Sequence, residues 1–580
     1  MSTAVSTLAV IVSPEETIDR VIRRMAEESR TVMHAGLAVV LDEAGSVRGV
    51  LTDGDIRRAY ARNISWSEPV SKIMISQPIT LPVGIHPDEL ILELSRRVEN
   101  ATHLNAKTIR HILLVDESNR LVDIRDFVEF LWDREERSAR VHVIGMGFVG
   151  LTVAISLANV GHRVTGVDVN QGLLDKLRCG ESLIYETGIK AKLKHVLERG
   201  VLNFESSLEN SRSSIYIIAV SAPVDDHNQA DLSDLRDVAK QLANILKPGD
   251  QVMLRSTVPV GTTRRFLLPL IKEGSGLSVA EEYNLVFAPE RSLAGKALSE
   301  LRTLPQLVGG VTPRCTERAA RFWATLTHAV SRLRSPEEAE LAKLANNSFR
   351  NVSFAFANEL AMLAKEHNLD VAEVILAANN GYPRNPIPLA SPGVGGYCLP
   401  KDSLLLASSF SQPNAMPRLS MVARTINERA SRFPLEVFER FCSQVGHPEK
   451  SMNALVIGIA FKGEPETNDL RGSSGLVVAY ALQEKGVKVT IWDAVVTNEE
   501  IVAAGLKPVL DLDEAVIQAD CVFLMNNHRK NSSIDVTKLN RKSHTKLVFD
   551  GWGLFDREET EAVKGLCYSS PGYMTPLLES

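Results

Sequence analysis

The stretch Val141-His142-Val143-Ile144-Gly145-Met146-Gly147-Phe148-Val149-Gly150 decides the fold. Its apolar start reads as a short strand that runs straight into G-x-G-x-x-G and then into a helix, the context that a dinucleotide fingerprint requires. The first glycine permits a tight turn, the second lets a diphosphate approach the backbone, and the third allows close helix packing, while amides at the helix start attract negative charge. Gly161-His162-Arg163-Val164-Thr165-Gly166-Val167 reads as the next turn and strand, ending at Asp168. A carboxylate there can bind both ribose hydroxyls but would repel a 2′-phosphate, so NAD is preferred over NADP. Strand, helix and acid together outweigh the plainer reading of a glycine-rich turn in some other α/β protein. Gly145, Gly147, Phe148, Val149, Gly150 and Asp168 form the expected cofactor set.

Downstream, strands alternate with helices to about Leu333, which favours a parallel sheet covered on both faces. Ser335-Pro336-Glu337-Glu338 then combines an N-cap serine, a proline at the first helical position and a capping-box glutamate, predicting a long helix to about Lys365. A glycine- and proline-rich loop, Gly381 to Pro400, leads to more helix ending near Gly446, and Ala454-Leu455-Val456-Ile457-Gly458 opens a second alternating α/β domain. Upstream, two half-units repeat. Gly36–Leu41, the turn Asp42–Gly45 and Val47–Leu51 have counterparts in His111–Val115 and Asp116–Asn119, before a charged linker, Asp133–Ser138. The expected plan is an α/β multidomain chain: a regulatory pair (1–135), a Rossmann-like dinucleotide domain (138–334), a central helical domain (335–446) and a second Rossmann-like nucleotide domain (450–580).

The composition fits a globular protein, and the net charge of -6 over 580 residues argues against general affinity for nucleic acid. Met1 to Val12 lacks the basic start of a signal peptide, and no window reaches transmembrane length. Cys179, Cys315, Cys398, Cys442, Cys521 and Cys567 are scattered singly, with neither zinc-site spacing nor disulfide density. A reducing cytoplasm and a metal-free site are expected.

Ser391-Pro392-Gly393-Val394-Gly395-Gly396-Tyr397-Cys398-Leu399-Pro400-Lys401-Asp402 carries the most chemistry. Its glycines bring backbone close to a ligand, and Cys398 falls beside the start of a helix, where the dipole and nearby lysines are expected to lower the thiol pKa and make a nucleophile. Considered alone, a single cysteine is more often a small buried hydrophobe. On the long helix Lys343 and Asn347 are one turn apart on one face, where an ammonium and an amide could stabilise an oxyanion; otherwise they are a solvated lysine and a surface amide.

From Arg140 to about Pro571 the chain resembles the UDP-glucose/GDP-mannose dehydrogenase family. The resemblance rests on ordered motifs: the fingerprint, Arg255–Gly261 (RSTVPVG), Ala288-Pro289-Glu290-Arg291, Ala339–Asn347 (AELAKLANN), the cysteine loop, and Ala460-Phe461-Lys462. It implies a double oxidation with two NAD in succession, through an aldehyde captured by Cys398 and a thioester that is then hydrolysed. By motif, Lys343 and Asn347 would stabilise oxyanion character, Asp402 would position water or exchange protons, Thr257 would support the water network, and Glu290 would be the base for hydrolysis, or else an ordinary loop acid. The same resemblance puts Thr257, Lys401 and Arg471 near the cofactor. It puts Glu290, Lys343, Asn347, Gly395, Phe461 and Lys462 at a UDP-sugar, and Arg384 across the interface of a homodimer or higher oligomer.

Two signals disagree on the sugar. Pro289-Glu290-Arg291 resembles the UDP-N-acetylhexosamine branch, and Cys398–Asp402 the UDP-glucose branch. Ala222, Ala294 and the loop Gly463–Asn468 depart from the usual pattern, and the reading leans to an N-acetylhexosamine, with UDP-glucose next. Near the start, Gly49-Val50-Leu51-Thr52-Asp53-Gly54-Asp55 resembles the ligand motif of a CBS domain, with Thr52 for a phosphate and Asp55 for ribose hydroxyls of an adenine nucleotide or a nucleotide-sugar effector. The second copy, Arg120–Asp126, lacks the hydroxyl residue, so one good site at most is expected, and a purely structural pair is the other reading. Two rivals remain: a hydroxyacid dehydrogenase with a structural Cys398, and a nucleotide-sensing protein with a degenerate dehydrogenase. The intact Lys343, Asn347, Cys398 and Asp402 argue against the second.

Overall fold

The computed structural model describes residues 9–28, 32, 36–76, 78, 80–83, 111–126, 139–209, 213–225, 227–327, 329–384, 386–410, 418–539 and 545–576. Contacts divide the chain into two compact units, Met1–Ala139 with Leu157–Arg163, and Arg140–Ser156 with Val164–Ser580.

The first unit contains the expected repeat. One sheet is ordered β1 (Val10–Val12), β2 (Leu37–Leu41), β3 (Val47–Thr52), and the other β4 (Thr80–Pro82), β5 (His111–Val115), β6 (Leu121–Asp126). Each is a parallel pair followed by a hairpin, and both hairpins slip register at the same place, Val40/Leu41 and Leu114/Val115. The cause is a shared turn chemistry. Asp42 accepts from Ala44 N, Ser46 N and Arg48 Nε, and Asp116 accepts from Ser118 N, Arg120 N and Arg120 Nε. Leu37, Val39 and Val47 share one core with Leu113, Leu121 and Ile124. The helical parts of the second repeat and the Asp133–Ser138 linker lie outside the described residues.

In the second unit an eight-stranded sheet runs β14 (Val330–Leu333), β13 (Gln306–Gly310), β12 (Asn284–Phe287), β11 (Gln251–Leu254), β10 (Ile215–Ile218), β7 (Arg140–Ile144), β8 (Arg163–Val167), β9 (Leu202–Glu205), with β12 and β13 antiparallel. A six-stranded sheet runs β16 (Lys488–Trp492), β15 (Asn453–Ile457), β17 (Cys521–Leu524), β18 (Lys546–Asp550), β19 (Leu566–Ser570), β20 (Tyr573–Met574), parallel until its last pair. Both sheets reverse strand order beside their first strand, which opens a ligand crevice at the carboxyl ends.

The sheets also share a local device. Asp168, just after β8, accepts from Met146 N at 2.7 Å, and Asp493, just after β16, accepts from Ile459 N and Ala460 N at 2.8 and 3.0 Å. In each domain the acid that ends the second strand therefore pins the loop that leaves the first.

The helix Pro336–His367 joins the two sheets. Ser335 Oγ accepts from Glu338 N, as the cap predicts, but the Glu338 carboxylate accepts from Arg334 N, one residue before the serine amide that a capping box uses. Ala339 belongs to the core of the first sheet, and Ala357, Ala361 and Ala364 to that of the second. Between them, Glu340 is fully buried and accepts from Gly261 N, Thr263 N and Thr263 Oγ1, the last two at 2.8 and 2.6 Å.

Burial raises the Glu340 carboxyl from 4.5 to about 7 against these hydrogen bonds. Between pH 4.5 and 7 the folded chain therefore holds a proton that the unfolded chain has lost, and stability falls as pH rises through that window. In Glu340→Gln, thermal melts should lose this decline, worth on the order of 3 kcal/mol. An unchanged pH slope would mean that Glu340 is ionised throughout.

Candidate active site

Gly145, with φ of +92°, turns the chain after β7, and a Cβ on it would come within 2.8 Å of Ala219 O. A Cβ on Gly150 would come within 1.7 Å of Gly145 O, so the third glycine is required for the helix to close on the turn. Gly147 has nothing within 4 Å of its Cβ position, and Phe148 and Val149 begin the helix beside it. Open backbone at a helix start, flanked by tightly packed glycines, fits the diphosphate of NAD. The second oxygen of Asp168 accepts from Asn170 N at 2.9 Å, and each oxygen keeps a lone pair for a ribose hydroxyl.

Cys398 is the first residue of the helix Cys398–Ser408, and its loop is fastened to the long helix at two points. Before the thiol, Ser391 N donates to Asn358 Oδ1 at 2.9 Å. Asn358 Nδ2 donates to Asn427 Oδ1, and Asn427 Nδ2 donates to Asn351 O and Oδ1, all at 2.9 Å. All four residues are buried. After the thiol, Asn347 Nδ2 donates to Asp402 Oδ2 at 2.6 Å. Asn347, Asn351 and Asn358 continue the face that carries Lys343. The loop also touches the second sheet. Gly396 N donates to Arg471 O at 3.0 Å, and a Cβ on Gly395 would meet Gly472 O at 2.6 Å and Phe461 Cβ at 3.1 Å.

Four charges surround the thiol. Lys343, Lys401 and Asp402 are buried, at 8%, 8% and 1% exposure, and Arg471 is held by Asp469 through three contacts of 2.6–3.1 Å. Lys401 Nζ lies 3.2 Å from Asp402 Oδ1 in an ion pair without hydrogen-bond geometry, which leaves that oxygen without a hydrogen bond among the described residues. The expected lowering of the thiol pKa is corrected here. Crowding by the surrounding protein and then the Asp402 charge raise the Cys398 thiol, and Lys343, Lys401 and Arg471 oppose them without prevailing. Because Cys398 is open to solvent, the carboxylate is the contribution that a substitution can isolate.

The other expected residues have varied surroundings. Thr257 is half-buried in a segment pinned on one side by Ser256 Oγ, which donates to Val220 O at 2.7 Å, and on the other by Glu340. Glu290 forms a buried ion pair with Arg255 and accepts from Arg291 N and Ser292 N at 2.8 and 2.6 Å. Burial opposes its ionisation, but Arg255 and Ser292 hold its pKa below the usual range, so it stays a carboxylate. Lys462 Nζ donates to Ala294 O at 2.7 Å, and its pKa falls to about 8, chiefly through burial. Arg384 is exposed. Thr52 and Asp55, in the first unit, are engaged with each other. Asp55 accepts from Thr52 N at 2.9 Å, Thr52 Oγ1 at 2.6 Å and Arg58 at 2.5 Å.

Sequence reasoning missed Tyr397 and the amides Asn351, Asn358 and Asn427. Tyr397 OH lies 3.2 Å from Ser221 Oγ, and its ring lies 5.4 Å from Lys401 Nζ and 4.7 Å from Arg471 Cζ. The available signal was the one-turn spacing of Asn347 and Asn351 after Lys343.

Asp402→Asn should lower the thiol pKa and speed iodoacetamide alkylation of Cys398 at neutral pH by about tenfold, read from the pH–rate profile. A slower or unchanged rate would remove Asp402 as the controlling charge.

Comparison with known proteins identifies the domains. The UDP-glucose/GDP-mannose dehydrogenase family matches through its NAD binding domain at residues 139–327, its central domain at 337–429 and its UDP binding domain at 455–557, and a CBS domain matches 4–62. The UDP-N-acetyl-D-mannosamine dehydrogenase of Pyrococcus horikoshii is 31% identical over 413 residues, covering 71% of this chain and 95% of the relative. Among solved structures, UDP-D-ManNAc dehydrogenase from Pyrococcus horikoshii aligns with TM-score 0.67 and 29% identity over 75% of this chain and 99% of that one. UDP-glucose dehydrogenase from Pyrobaculum islandicum aligns with TM-score 0.66 and 27% identity over 76% and 99%. With the NAD-binding, central and UDP-binding parts present in order around one thiol, the chain belongs to the UDP-glucose/GDP-mannose dehydrogenase family.

Proposed function

We propose that this enzyme oxidises the C6 alcohol of a UDP-N-acetylhexosamine to the uronic acid through a thioester on Cys398, providing a precursor for polysaccharide synthesis in the cytoplasm. The observation that carries the reading is the exposed Cys398 thiol, fastened on both sides to the helix that presents Lys343 and Asn347. In the reaction the alcohol loses a hydride and a proton, and the resulting aldehyde carbon takes up the Cys398 sulfur. Sulfur's proton passes to the oxygen in that addition. A second hydride then leaves the same carbon as the oxygen loses its proton, giving the thioester, and water breaks the C–S bond, releasing the acid and the thiol. NAD, used twice, supplies the hydride acceptor.

The residues divide this work by their surroundings. Lys343 and Asn347 donate to the oxygen on the reacting carbon, where negative charge gathers in the alkoxide and tetrahedral stages. Asp402, with Oδ1 free of hydrogen bonds among the described residues, exchanges protons with thiol and water. Glu290, kept ionised by Arg255, is the base for hydrolysis, and Thr257 orders water beside it. Lys401 and Arg471 face the cofactor, and Gly395, Phe461 and Lys462 receive the UDP-sugar.

Pro289-Glu290-Arg291 and the N-acetylmannosamine relative support the N-acetylhexosamine. UDP-glucose is the second reading, favoured by Cys398–Asp402 and the Pyrobaculum islandicum neighbour. A nucleotide effector at Thr52 and Asp55 would exchange the Arg58 contact for ribose hydroxyls. The proposed segments are 1–135, 138–334, 335–446 and 450–580.

A second copy of the chain is proposed against one face of the long helix. Leu341, Phe349, Phe356 and Leu363, at spacings of seven or eight residues, are 48%, 72%, 49% and 55% exposed. Arg384 would reach across that interface.

Purified enzyme should form two NADH per sugar with one nucleotide sugar of a panel, and none with Cys398→Ala. One NADH per sugar would point instead to a simple alcohol dehydrogenase. Glu290→Gln should give a rapid burst of two NADH per chain followed by slow turnover; loss of the burst with a lowered melting temperature would assign Glu290 to the fold. Phe349→Asp with Phe356→Asp should halve the mass measured by light scattering, and an unchanged mass would place the interface elsewhere.

A further inference from the structure

Three separately built parts of the enzyme meet on the side chain of Tyr397, the residue before the thiol. The first is the cofactor side. Ser221 follows β10, next to β7 where the strand order reverses, and its segment lies against the fingerprint turn, since a Cβ on Gly145 would come within 3.0 Å of Val220 N. The Tyr397 hydroxyl, 3.2 Å from Ser221 Oγ, therefore reaches the edge of the dinucleotide crevice. The second part is the cysteine helix itself, through Lys401, whose ammonium is 5.4 Å from the ring centroid. The third is the sugar-side domain, through Arg471, whose guanidinium carbon is 4.7 Å away. Both distances are within cation–π reach.

Each cation also has a carboxylate anchor of its own. Arg471 is fixed to Asp469 in its own domain, and Lys401 pairs with Asp402. The aromatic ring is what both share beside Cys398. Their charges, with that of Lys343, oppose the Asp402 carboxylate at the thiol.

We propose that Tyr397 is a positioning residue: its ring holds the Lys401 and Arg471 cations beside the Cys398 thiol, and its hydroxyl ties the cysteine loop to the Ser221 edge of the dinucleotide crevice. The proposal rests on Cys398 as nucleophile, but its test needs no turnover.

The test uses the full chain with Cys179→Ser, which leaves Cys398 as the one exposed thiol, and follows iodoacetamide alkylation against pH with and without NAD. Tyr397→Phe keeps the ring, so its pH profile without NAD should overlie that of the parent. Tyr397→Leu releases both cations, and alkylation at neutral pH should slow by about three- to tenfold. NAD should protect Cys398 in the parent, and the concentration giving half-protection should rise by about three- to tenfold in Tyr397→Phe, the loss of one hydrogen bond. A Tyr397→Leu profile equal to the parent overturns the holding role, and unchanged NAD protection in Tyr397→Phe overturns the tie. Melting curves of both variants separate either result from unfolding. Absence of turnover with every nucleotide sugar, beside the expected alkylation shifts, would count against the proposed function and not against Tyr397.

Discussion

The helix Pro336–His367 is anchored at its ends in different hydrophobic cores, and the site is built between those anchors. Ala339 fixes it to the dinucleotide domain, and Ala357, Ala361 and Ala364 fix it to the second. A helix held this way gives Lys343 and Asn347, which lie between the anchors, fixed positions. The cysteine loop is then strung along the same helix, from Asn358 to Asn347, about three turns apart. Buried amides are costly when unpaired, with penalties of about 1–3 kcal/mol each, so the Asn351, Asn358 and Asn427 chain specifies one arrangement of the loop.

The charges around the thiol follow from this packing. Asn347 holds Asp402 near Cys398, and after crowding by the surrounding protein this carboxylate is the next cause that raises the thiol pKa against three cations. Restraint of this kind suits the proposed nucleophile, which is needed only once an aldehyde has formed, since a permanent thiolate would be open to oxidation. Glu290 has the opposite setting. Arg255 offsets its burial and keeps it charged, as the proposed role of base for hydrolysis requires. In the proposed mechanism the two carboxylates are thus given different work by their neighbours.

Much of this was legible in the sequence. Fingerprint, cap and glycine–proline punctuation are local signals, and the sheet containing β7, the helix cap at Ser335 and the second α/β domain follow from them. The ordered motifs named the family because several separated motifs in the right order are more specific than any one of them. What the sequence did not reveal depends on contacts between distant segments. The sign of the thiol shift turns on crowding and on Asp402, which a helix-dipole argument omits. The burial of Glu340, the Asn358–Asn427 bond and the meeting of Ser221, Tyr397 and Arg471 join residues far apart in the chain. The Glu338 carboxylate missed its expected partner by one residue, a difference in chain direction that pattern does not encode.

The central claim is that the sugar carbon becomes bonded to Cys398. The most direct measurement is peptide mass spectrometry of enzyme quenched in acid during turnover of its nucleotide sugar with NAD, using Glu290→Gln to slow hydrolysis. The account predicts that the peptide containing Cys398 carries the mass of the UDP-linked acyl group, lost on treatment with hydroxylamine. Turnover to two NADH per sugar with that peptide unmodified, or with the mass on another residue, would contradict it.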